Sequence, residues 1–345
     1  MRTARRATLR GMGHGIEDVA RAAGVSTATV SRALRGLPHV TDATRERVRL
    51  AALELGYVAT PSARSLATGR TRTIGLLLPW VSHWFFANVV EGAERTLREH
   101  DHDALLYTFD VFERGPRRRV ETHVLRGRVD GILVVGLPLE PEEIVDLDAL
   151  VRPLVFVGSG PGDRCTIRVD EQEVSRIAVD HLIGLGHRRI GHVTGHPDDV
   201  SPWSAGVLRT RAWRDVMGAT GLTADALAYG NFDVGGGRAA AHELLTRHPD
   251  VTSVFVTSDE MAMGVIAAAR DRGLRVPEDL SVIGVDGHEL GEVVALTTVA
   301  QDVHAQGVLA ARLVLAQIAG EEVPQRVTPQ VRLVLRGSTA PPRDR

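Results

Sequence analysis

The sequence contains one cysteine, no lysine and no apolar run long enough to cross a bilayer. The single cysteine, Cys165, excludes an internal disulfide and favours a buried, inert thiol in a reducing compartment. No apolar signal-peptide core follows the basic residues 1–10, so we expect a cytoplasmic protein without membrane contact. The 345 residues are enough for two or three domains, each with its own core.

All 41 basic residues are arginines, and they are distributed unevenly. Residues 1–72 carry thirteen arginines and five acidic residues, a net charge of +8, whereas the remainder carries 28 arginines and 38 acidic residues. A basic head on an acidic body predicts a polyanionic partner that binds at one end. A disordered basic tail is the alternative, and we expect residues 1–15 to be such a tail.

Residues 16–56 have the pattern of three short packed helices. Apolar residues between Ile16 and Ala23 share one helical face, and Gly24 then permits a sharp turn. Ser26 is a suitable N-cap for a second helix over Thr27–Arg35, and Thr41 caps a third. Two short helices joined by a turn that contains glycine predict a helix-turn-helix, whose second helix can enter a major groove of DNA.

Residues 16–72 closely resemble the head of the lactose/galactose repressor family. The resemblance covers the three predicted helices, the Gly56-Tyr57 pair that follows them and the hinge motif ARSLATGRTR at residues 63–72. It implies an all-α helix-turn-helix DNA-binding domain at residues 16–59, followed by a hinge helix and linker at residues 60–72. The partner implied is double-stranded operator DNA.

In the second helix we expect Val30 and Leu34 to point into the core and the opposite face to meet DNA. The resemblance implies contacts to base edges from Thr27, Ala28 and Arg32. Arg32 is the best candidate for a bidentate contact to guanine, and a solvated surface arginine is the alternative. The resemblance also implies contacts to DNA phosphates, which position the head without reading the sequence, from Ser26, Thr29, Ser31 and Arg35.

The hinge segment is too short to be a stable helix alone, so we expect it to form when two copies pack over a minor groove. The resemblance implies minor-groove contacts from Ser62, Ala63 and Leu66, with Leu66 wedged between base steps. The family usually has Tyr-x-Pro-Asn here, whereas this chain displaces the proline to Pro61, four residues after Tyr57.

From residue 73 onward, short apolar strands alternate with helical stretches, which predicts parallel sheets with helices on both faces. The expected strands are Ile74–Pro79, Ala104–Phe109, Gly131–Val135, Leu154–Val157, Ile190–Thr194, Ser253–Val256, Ser281–Val285 and Val331–Leu335. The expected helices include Phe86–Glu99, Glu173–Leu185, Gly237–Thr246, Met261–Arg272 and Gln306–Ala319.

The body resembles the same family and, through it, the periplasmic sugar-binding proteins, in motifs such as RVDGILVV, LGHRRIGHVTG and LTTVAQD. The fold implied is α/β, with a two-lobed, periplasmic-binding-protein-like effector-binding and dimerisation domain at residues 73–345. We expect one lobe at residues 73–159 plus 290–330 and the other at residues 160–289 plus 331–345.

Ligands of such folds lie beyond the carboxyl ends of the strands, here in a cleft between the lobes. The resemblance implies that Phe85 stacks on a ligand face and that Arg209 clamps ligand hydroxyls, with an inter-lobe salt bridge as the alternative for Arg209. It also implies that Asp286 binds hydroxyl groups, a turn cap being the alternative. Further cleft candidates are Trp80, Asp170, Ser258, Asp259 and Gln301.

The chain departs from the family pattern at three cleft positions. Trp80 stands where aspartate is usual, Trp84 where proline is usual and Gly287 where a second aspartate is usual. A cleft richer in aromatic groups favours stacking over hydroxyl binding. We expect a carbohydrate effector, with a glycoside, a nucleoside or a less polar ligand as alternatives.

These patterns together predict a transcriptional repressor that binds a palindromic operator as a homodimer and responds to a small-molecule effector. Induction and corepression both remain open, because an effector acts only through its differential affinity for two states. The chain ends without apolar heptads, so we expect no tetramer helix. A constitutive regulator without a cleft ligand is one alternative. An enzyme of sugar or nucleoside metabolism is another, but no nucleophile motif or metal-ligand spacing supports catalysis, a metal or a cofactor.

Overall fold

The computed structural model describes residues 14–34, 36–57, 69–109, 111 and 119–343. The chain divides into two compact units at the bond between Thr71 and Arg72. The expected phosphate contact Arg35, the N-terminal tail as far as residue 13 and the expected hinge residues Ser62, Ala63 and Leu66 lie outside the described residues.

The smaller unit contains three helices around one apolar core. They are α1 Ile16–Ala23, α2 Thr27–Leu34 and α3 Asp42–Glu54. Gly24 ends α1 in the left-handed conformation, at φ 66°, which glycine adopts without strain. The side chain of Thr41 accepts a hydrogen bond from the backbone N–H of Thr44 and caps α3. The expected arrangement of two helices, a glycine turn and a third helix is therefore confirmed.

The inward face of α2 differs by one residue from the expectation. Val30 is fully buried as expected, but Leu34 is 40% exposed and Ala33 is the second buried residue. The residues three and four positions after Val30 both lie near the surface of α2 that packs against α1 and α3. That packing buries the smaller of the two side chains, Ala33. The expected inward orientation of Leu34 was wrong.

The larger unit alternates strands and helices, as the sequence predicts. Its strands are β1 Thr73–Leu78, β2 Asp103–Thr108, β3 Gly131–Val135, β4 Leu154–Val157, β5 Thr166–Ile167, β6 Ile190–Thr194, β7 Leu227–Tyr229, β8 Ser253–Val256, β9 Ser281–Asp286, β10 Thr297–Gln301, β11 Arg326–Val327 and β12 Val331–Val334. Its helices are α4 Trp84–Glu99, α5 Pro141–Asp148, α6 Glu171–Gly184, α7 Ala205–Ala219, α8 Val234–Arg247, α9 Asp259–Asp271 and α10 Val303–Ala319.

The strands form two six-stranded sheets, each the centre of one lobe. The first lobe has the strand order β11-β5-β4-β3-β1-β2, and all its strand pairs are parallel. The second lobe has the order β12-β10-β9-β8-β6-β7, and only β12 runs antiparallel to its neighbour. The expected two-lobed α/β architecture with parallel sheets is confirmed.

Two strands lie in the opposite lobe to the one expected. β10, within the range 290–330 expected in the first lobe, pairs with β9 and β12 of the second. β5, within the range 160–289 expected in the second lobe, pairs with β4 and β11 of the first. Since β5 and β11 each contain only two residues, no apolar run marks where the chain crosses between the lobes.

Helices α4 and α10 of the first lobe approach each other closely through glycine. A Cβ atom added to Gly307 would lie 2.2 Å from the carbonyl oxygen of Val89, and one added to Gly92 would lie 2.3 Å from that of His304. These glycines let the first turns of α10 touch the middle of α4, and Gln306 of α10 lines the cleft together with Phe85 and Phe86 of α4. Among the described residues, no helix is long and apolar enough to span a membrane.

Candidate functional sites

The outer face of α2 carries the predicted DNA contacts. Ser26, Thr27, Ala28 and Arg32 are exposed, and Thr29 and Ser31 are half-buried. The Oγ atom of Ser26 accepts a hydrogen bond of 3.1 Å from the backbone N–H of Thr29, so Ser26 caps α2 as expected. All six described candidates therefore lie at the start of α2 or within it and are exposed or half-buried, and their roles toward DNA stay predictions.

Arg45 supports the opposite end of α2, a role that the sequence reasoning missed. Its guanidinium donates one hydrogen bond of 3.2 Å to the carbonyl of Ala33 and another of 3.2 Å to that of Leu37. The last carbonyls of a helix lack partners within the helix, so these bonds fix the last turn of α2 and the loop that follows it to α3. The sequence signal for this role is an arginine near the start of α3, the helix that follows α2.

A cavity of the larger unit lies between the lobes, at the carboxyl ends of the strands of both sheets. Wall residues follow strands of both sheets, including Pro79 after β1, Gly158 after β4, Ser258 after β8 and Asp286 at the end of β9. The cleft contains about 910 Å³ of empty space when its open mouth is included. This position is the one expected for a ligand in such a fold.

Aromatic rings form the first-lobe wall of the cleft. The ring of Trp80 stacks on His83, with 4.7 Å between centroids, and Phe85 lies edge-on to Phe86, with 5.3 Å between centroids. Gly158 makes room for this wall, because a Cβ atom there would lie 2.9 Å from the ring of Phe85. Trp80 and Phe85 therefore reach the cleft as predicted, in an arrangement that suits an apolar ligand face.

Arg209 enters the second-lobe wall from α7 and is only 4% exposed. Its Nε atom donates to Oε2 of Glu171 at 2.6 Å, and one terminal nitrogen donates to the carbonyl oxygen of Thr257 at 2.6 Å. Glu171 belongs to α6, so this ion pair lies within the second lobe and the inter-lobe alternative was wrong. Burial raises the pKa of Glu171, while the Arg209 charge opposes that rise.

Asp170, a predicted cleft residue, lies outside the wall. Its carboxylate caps α6 by accepting hydrogen bonds from the backbone N–H groups of Gln172 and Glu173. The next residue, Glu171, lines the cleft instead. Adjacent helical residues point in directions about 100° apart, so the packing of α6 decides which of two acidic residues faces the cleft.

A hydrogen-bonded chain of three side chains crosses the base of the cleft. Oδ1 of Asp286 accepts from the amide of Gln301 at 2.8 Å, and the carbonyl oxygen of the Gln301 side chain accepts from the amide of Gln306 at 2.9 Å. Gln306 lies on α10 of the first lobe, so the chain links the two lobes. Burial raises the pKa of Asp286. Asp286 and Gln301 line the cleft as predicted, and the sequence reasoning missed Gln306.

Asp259 is fully buried and does not reach the cleft wall. Its Oδ2 atom accepts from the backbone N–H groups of Gly287 at 2.9 Å and His288 at 2.8 Å, which ties the loop after β9 to α9. Burial and the nearby Asp286 charge raise its pKa. The expected direct contact from Asp259 to an effector therefore has no support in the geometry, whereas Ser258 does line the cleft.

Other polar wall residues had no sequence signal beyond their residue type. Glu260, in the first turn of α9, accepts a hydrogen bond of 3.1 Å from the backbone N–H of Trp84, and burial raises its pKa to about 7. Asp199 accepts hydrogen bonds from the hydroxyl of Ser204 and the backbone N–H of Ser201, and burial raises its pKa. These groups give the cleft acceptors for donor groups of a ligand. Among the described residues, no cluster of three histidine, cysteine or acidic side chains could hold a metal ion.

Comparisons with known proteins match both parts of the chain. The family model "Bacterial regulatory proteins, lacI family" matches residues 15–60, and the model "Periplasmic binding protein-like domain" matches residues 179–339. A relative, the HTH-type transcriptional regulator CelR of Thermobifida fusca, is 36% identical over 344 residues, covering 93% of this chain and 95% of the relative.

Solved structures match over almost the full length. A complex of the transcriptional regulator CelR with cellobiose is 32% identical, with a TM-score of 0.69, and the match covers 94% of this chain and 99% of that chain. The lac repressor dimer bound to operator and the anti-inducer ONPF is 26% identical, with a TM-score of 0.83, and the match covers 95% and 100% of the two chains.

Proposed function

The chain belongs to the lacI family of bacterial regulatory proteins, and we propose that it represses transcription as a homodimer that presents two heads to a palindromic operator. It is a DNA-binding transcriptional regulator rather than an enzyme, as are its relatives. Because the proposed partner is chromosomal DNA, we propose that the protein acts in the cytoplasm. The observation that carries the proposal is the accessible polar face of α2 on a packed three-helix head.

Operator recognition is proposed to depend on the face of α2 that ends at Arg32. The buried residues Val30 and Ala33 fix the rotation of the helix, so Thr27, Ala28 and Arg32 remain together on the accessible side. The planar guanidinium of Arg32 can donate two hydrogen bonds to the edge of one guanine, which distinguishes that base from the others. Ser26, Thr29 and Ser31 are placed to meet phosphates beside it.

The effector is proposed to be a carbohydrate or glycoside that binds in the cleft. Trp80 and Phe85 supply apolar faces for the C–H face of a sugar ring, and Asp286 and Glu260 supply acceptors for its hydroxyls. The CelR relative whose structure contains cellobiose supports a saccharide. Effector binding would alter operator affinity only by as much as it distinguishes two states of the protein.

Selection of bound fragments from the source genome by the purified full chain tests the DNA function. The ionic strength must be fixed and stated, because phosphate contacts make affinity depend steeply on salt. We expect enrichment of a palindrome upstream of a small set of genes. A folded dimer that enriches no sequence, with or without candidate saccharides, would contradict the proposal.

Thermal unfolding in the presence of saccharides tests the effector class. A ligand present at a hundred times its dissociation constant stabilises the folded state by about 2.7 kcal/mol, which raises the melting temperature. Cellobiose, other glucosides and nucleosides should be compared at equal concentration. If none raises the melting temperature while operator binding is intact, the chain is a constitutive regulator and the carbohydrate proposal is wrong.

A further inference from the structure

We propose that Trp84 acts as a clasp that holds the two lobes together at the rim of the cleft. Trp84 is the first residue of α4 in the first lobe, and it contacts three residues of the second lobe, namely Glu260, His288 and Glu289. The clasp would regulate access to the cleft, and its link to an effector rests on the proposed function.

The contacts of Trp84 combine stacking with two hydrogen bonds. Its indole ring lies over the imidazole of His288, with 5.0 Å between centroids and 22° between planes. The indole N–H donates to the carboxylate of Glu289, and the backbone N–H donates to Oε2 of Glu260 at 3.1 Å. Since Trp84 lies in one lobe and every partner lies in the other, the lobes cannot separate here without losing all three contacts.

The second-lobe side of the clasp is held in place independently of Trp84. The carboxylate of Asp259 binds the backbone N–H groups of Gly287 and His288, and Nδ1 of His288 accepts from the backbone N–H of Leu290 at 3.0 Å. Gly287 has a φ of 85°, and a Cβ atom there would lie 2.8 Å from the Cβ of Ala300. The tight loop therefore requires glycine and presents the imidazole in a fixed orientation.

The first-lobe side connects the clasp to the cleft wall. Trp84 lies between His83 and Phe85, which both line the cleft. Its carbonyl accepts from the side-chain amide of Asn88 at 2.9 Å within α4. Movement of Trp84 away from the second lobe would therefore move two wall residues with it. Trp203, between β6 and α7 of the second lobe, packs on an apolar cluster of the first lobe. Trp84 therefore stabilises the closed arrangement together with at least one other contact between the lobes.

The clasp distinguishes this chain from the pattern that its motifs resemble, which has proline at the position of Trp84. Proline has neither an indole ring nor a backbone N–H, so it can make none of the three contacts. It is also well tolerated here, because Trp84 is the first residue of its helix. His83 before it has φ −80° and ψ 141°, the extended conformation that a following proline requires. Trp84→Pro should therefore remove the clasp and leave α4 intact.

Spin-label distance measurements on the full chain test the clasp without operator or effector. Labels are attached at Glu91→Cys on α4 and Arg270→Cys on α9, two exposed sites in different lobes, after Cys165→Ser. Labelled protein is diluted with unlabelled protein so that distances within one chain dominate. We expect Trp84→Pro to lower the ratio of closed to open molecules by roughly tenfold to a thousandfold, from the loss of one aromatic pair and two hydrogen bonds.

Two further variants separate the clasp from general loosening of the loop after β9. Glu289→Ala removes the acceptor of the indole N–H and should give a smaller shift in the same direction. Glu292→Ala is the matched control, because Glu292 is exposed in the same loop but pairs with Arg336 inside the second lobe, and it should leave the distances unchanged.

Identical distance distributions for Trp84→Pro and the parent chain would overturn the proposal, as would equal shifts for the two glutamate variants. If Trp84→Pro does not fold, Trp84→Phe replaces it, since phenylalanine keeps the backbone N–H and the stacking but lacks the indole N–H. Its distances should shift in the same direction as those of Glu289→Ala, and parent-like distances would overturn the proposal. These distances are measured without operator or effector. They therefore test the clasp independently of whether the proposed function is correct.

Discussion

Removing the guanidinium of Arg209 should destabilise the protein far more than removing the guanidinium of an exposed arginine that is also ion-paired. Arg209 and Glu171 are each only 4% exposed, and Arg209→Met leaves the Glu171 carboxylate buried without its cation. Loss of one partner from a buried ion pair costs about 3–5 kcal/mol, because the remaining charge has lost both water and counter-charge. Methionine keeps much of the length of the arginine stem, so the lost charge accounts for most of the effect.

Chemical unfolding in urea, followed by circular dichroism, measures this difference. The matched control is Arg176→Met on α6, where Arg176 pairs with Glu173 at 2.7 and 2.8 Å and with Asp180 at 3.1 Å, but at about half exposure. Exposed pairs contribute about 0–1 kcal/mol. The double variant Arg209→Met, Glu171→Met should recover most of the stability, because apolar side chains of similar size replace both charges.

The pH dependence of the free energy of unfolding checks independently that the buried Glu171 charge causes the loss of stability. Burial already raises the pKa of Glu171 above its ordinary value of 4.5, and removing Arg209 raises it further. The folded Arg209→Met variant then retains a proton that the unfolded chain releases, so its free energy of unfolding falls as pH rises above about 4.5. We expect a larger deficit at pH 8 than at pH 5. A loss no greater than that of Arg176→Met, or one independent of pH, would refute the reasoning.

Three other variants test the head and the first lobe. Arg32→Ala should weaken binding to the selected operator by about 1–3 kcal/mol and relax one base position in a binding assay at fixed salt. Arg49→Ala on α3 is its control, and an equal loss on all sequences would make Arg32 a phosphate contact. Arg45→Met should lower the melting temperature of the head by removing two bonds, one to a carbonyl in the last turn of α2 and one to a carbonyl of the following loop, at a cost of about 1–3 kcal/mol. An unchanged melting temperature would show that these bonds contribute nothing. Gly307→Ala should destabilise the first lobe by about 1–3 kcal/mol, since its Cβ would lie 2.2 Å from a backbone oxygen of α4. Gly218→Ala in α7, with no heavy atom within 4 Å of the added Cβ, should instead stabilise by up to about 1 kcal/mol, and similar results for both glycines would contradict the packing argument.

Elements with a strong local signal could be predicted from the sequence. The uninterrupted apolar runs of β3 and β4 have the bounds expected, because strands buried on both faces read as continuous apolar segments. β10 was not expected, since its sequence TTVAQ mixes polar and apolar residues and its position depends on β9 and β12. α7 was also not expected as a helix, although it carries Arg209, because its arginines and glycines obscure the apolar face.

The candidate cleft could be predicted at positions where a strand end fixes the direction of the side chain. Ser258 and Asp286 follow or end central strands of the second sheet and line the cleft as expected. Asp259 is adjacent to Ser258 in sequence but lies fully buried, bound to the loop after β9. Only the packing of α9 on β9 determines that difference, because both residues have the composition of a polar site.

The sequence by itself determined the kind of protein: a basic helix-turn-helix head with Arg32 on its outer face, joined to a body of alternating strands and helices. Those features depend on the order of residues within short segments, so local periodicity and capping are enough to reveal them. The tertiary structure decided which acidic residues face the cleft and which lobe receives β10. It also decided that Trp84 meets His288, about two hundred residues later in the chain. These relations depend on how separate helices and sheets pack, and the sequence of one segment contains no information about the orientation of another.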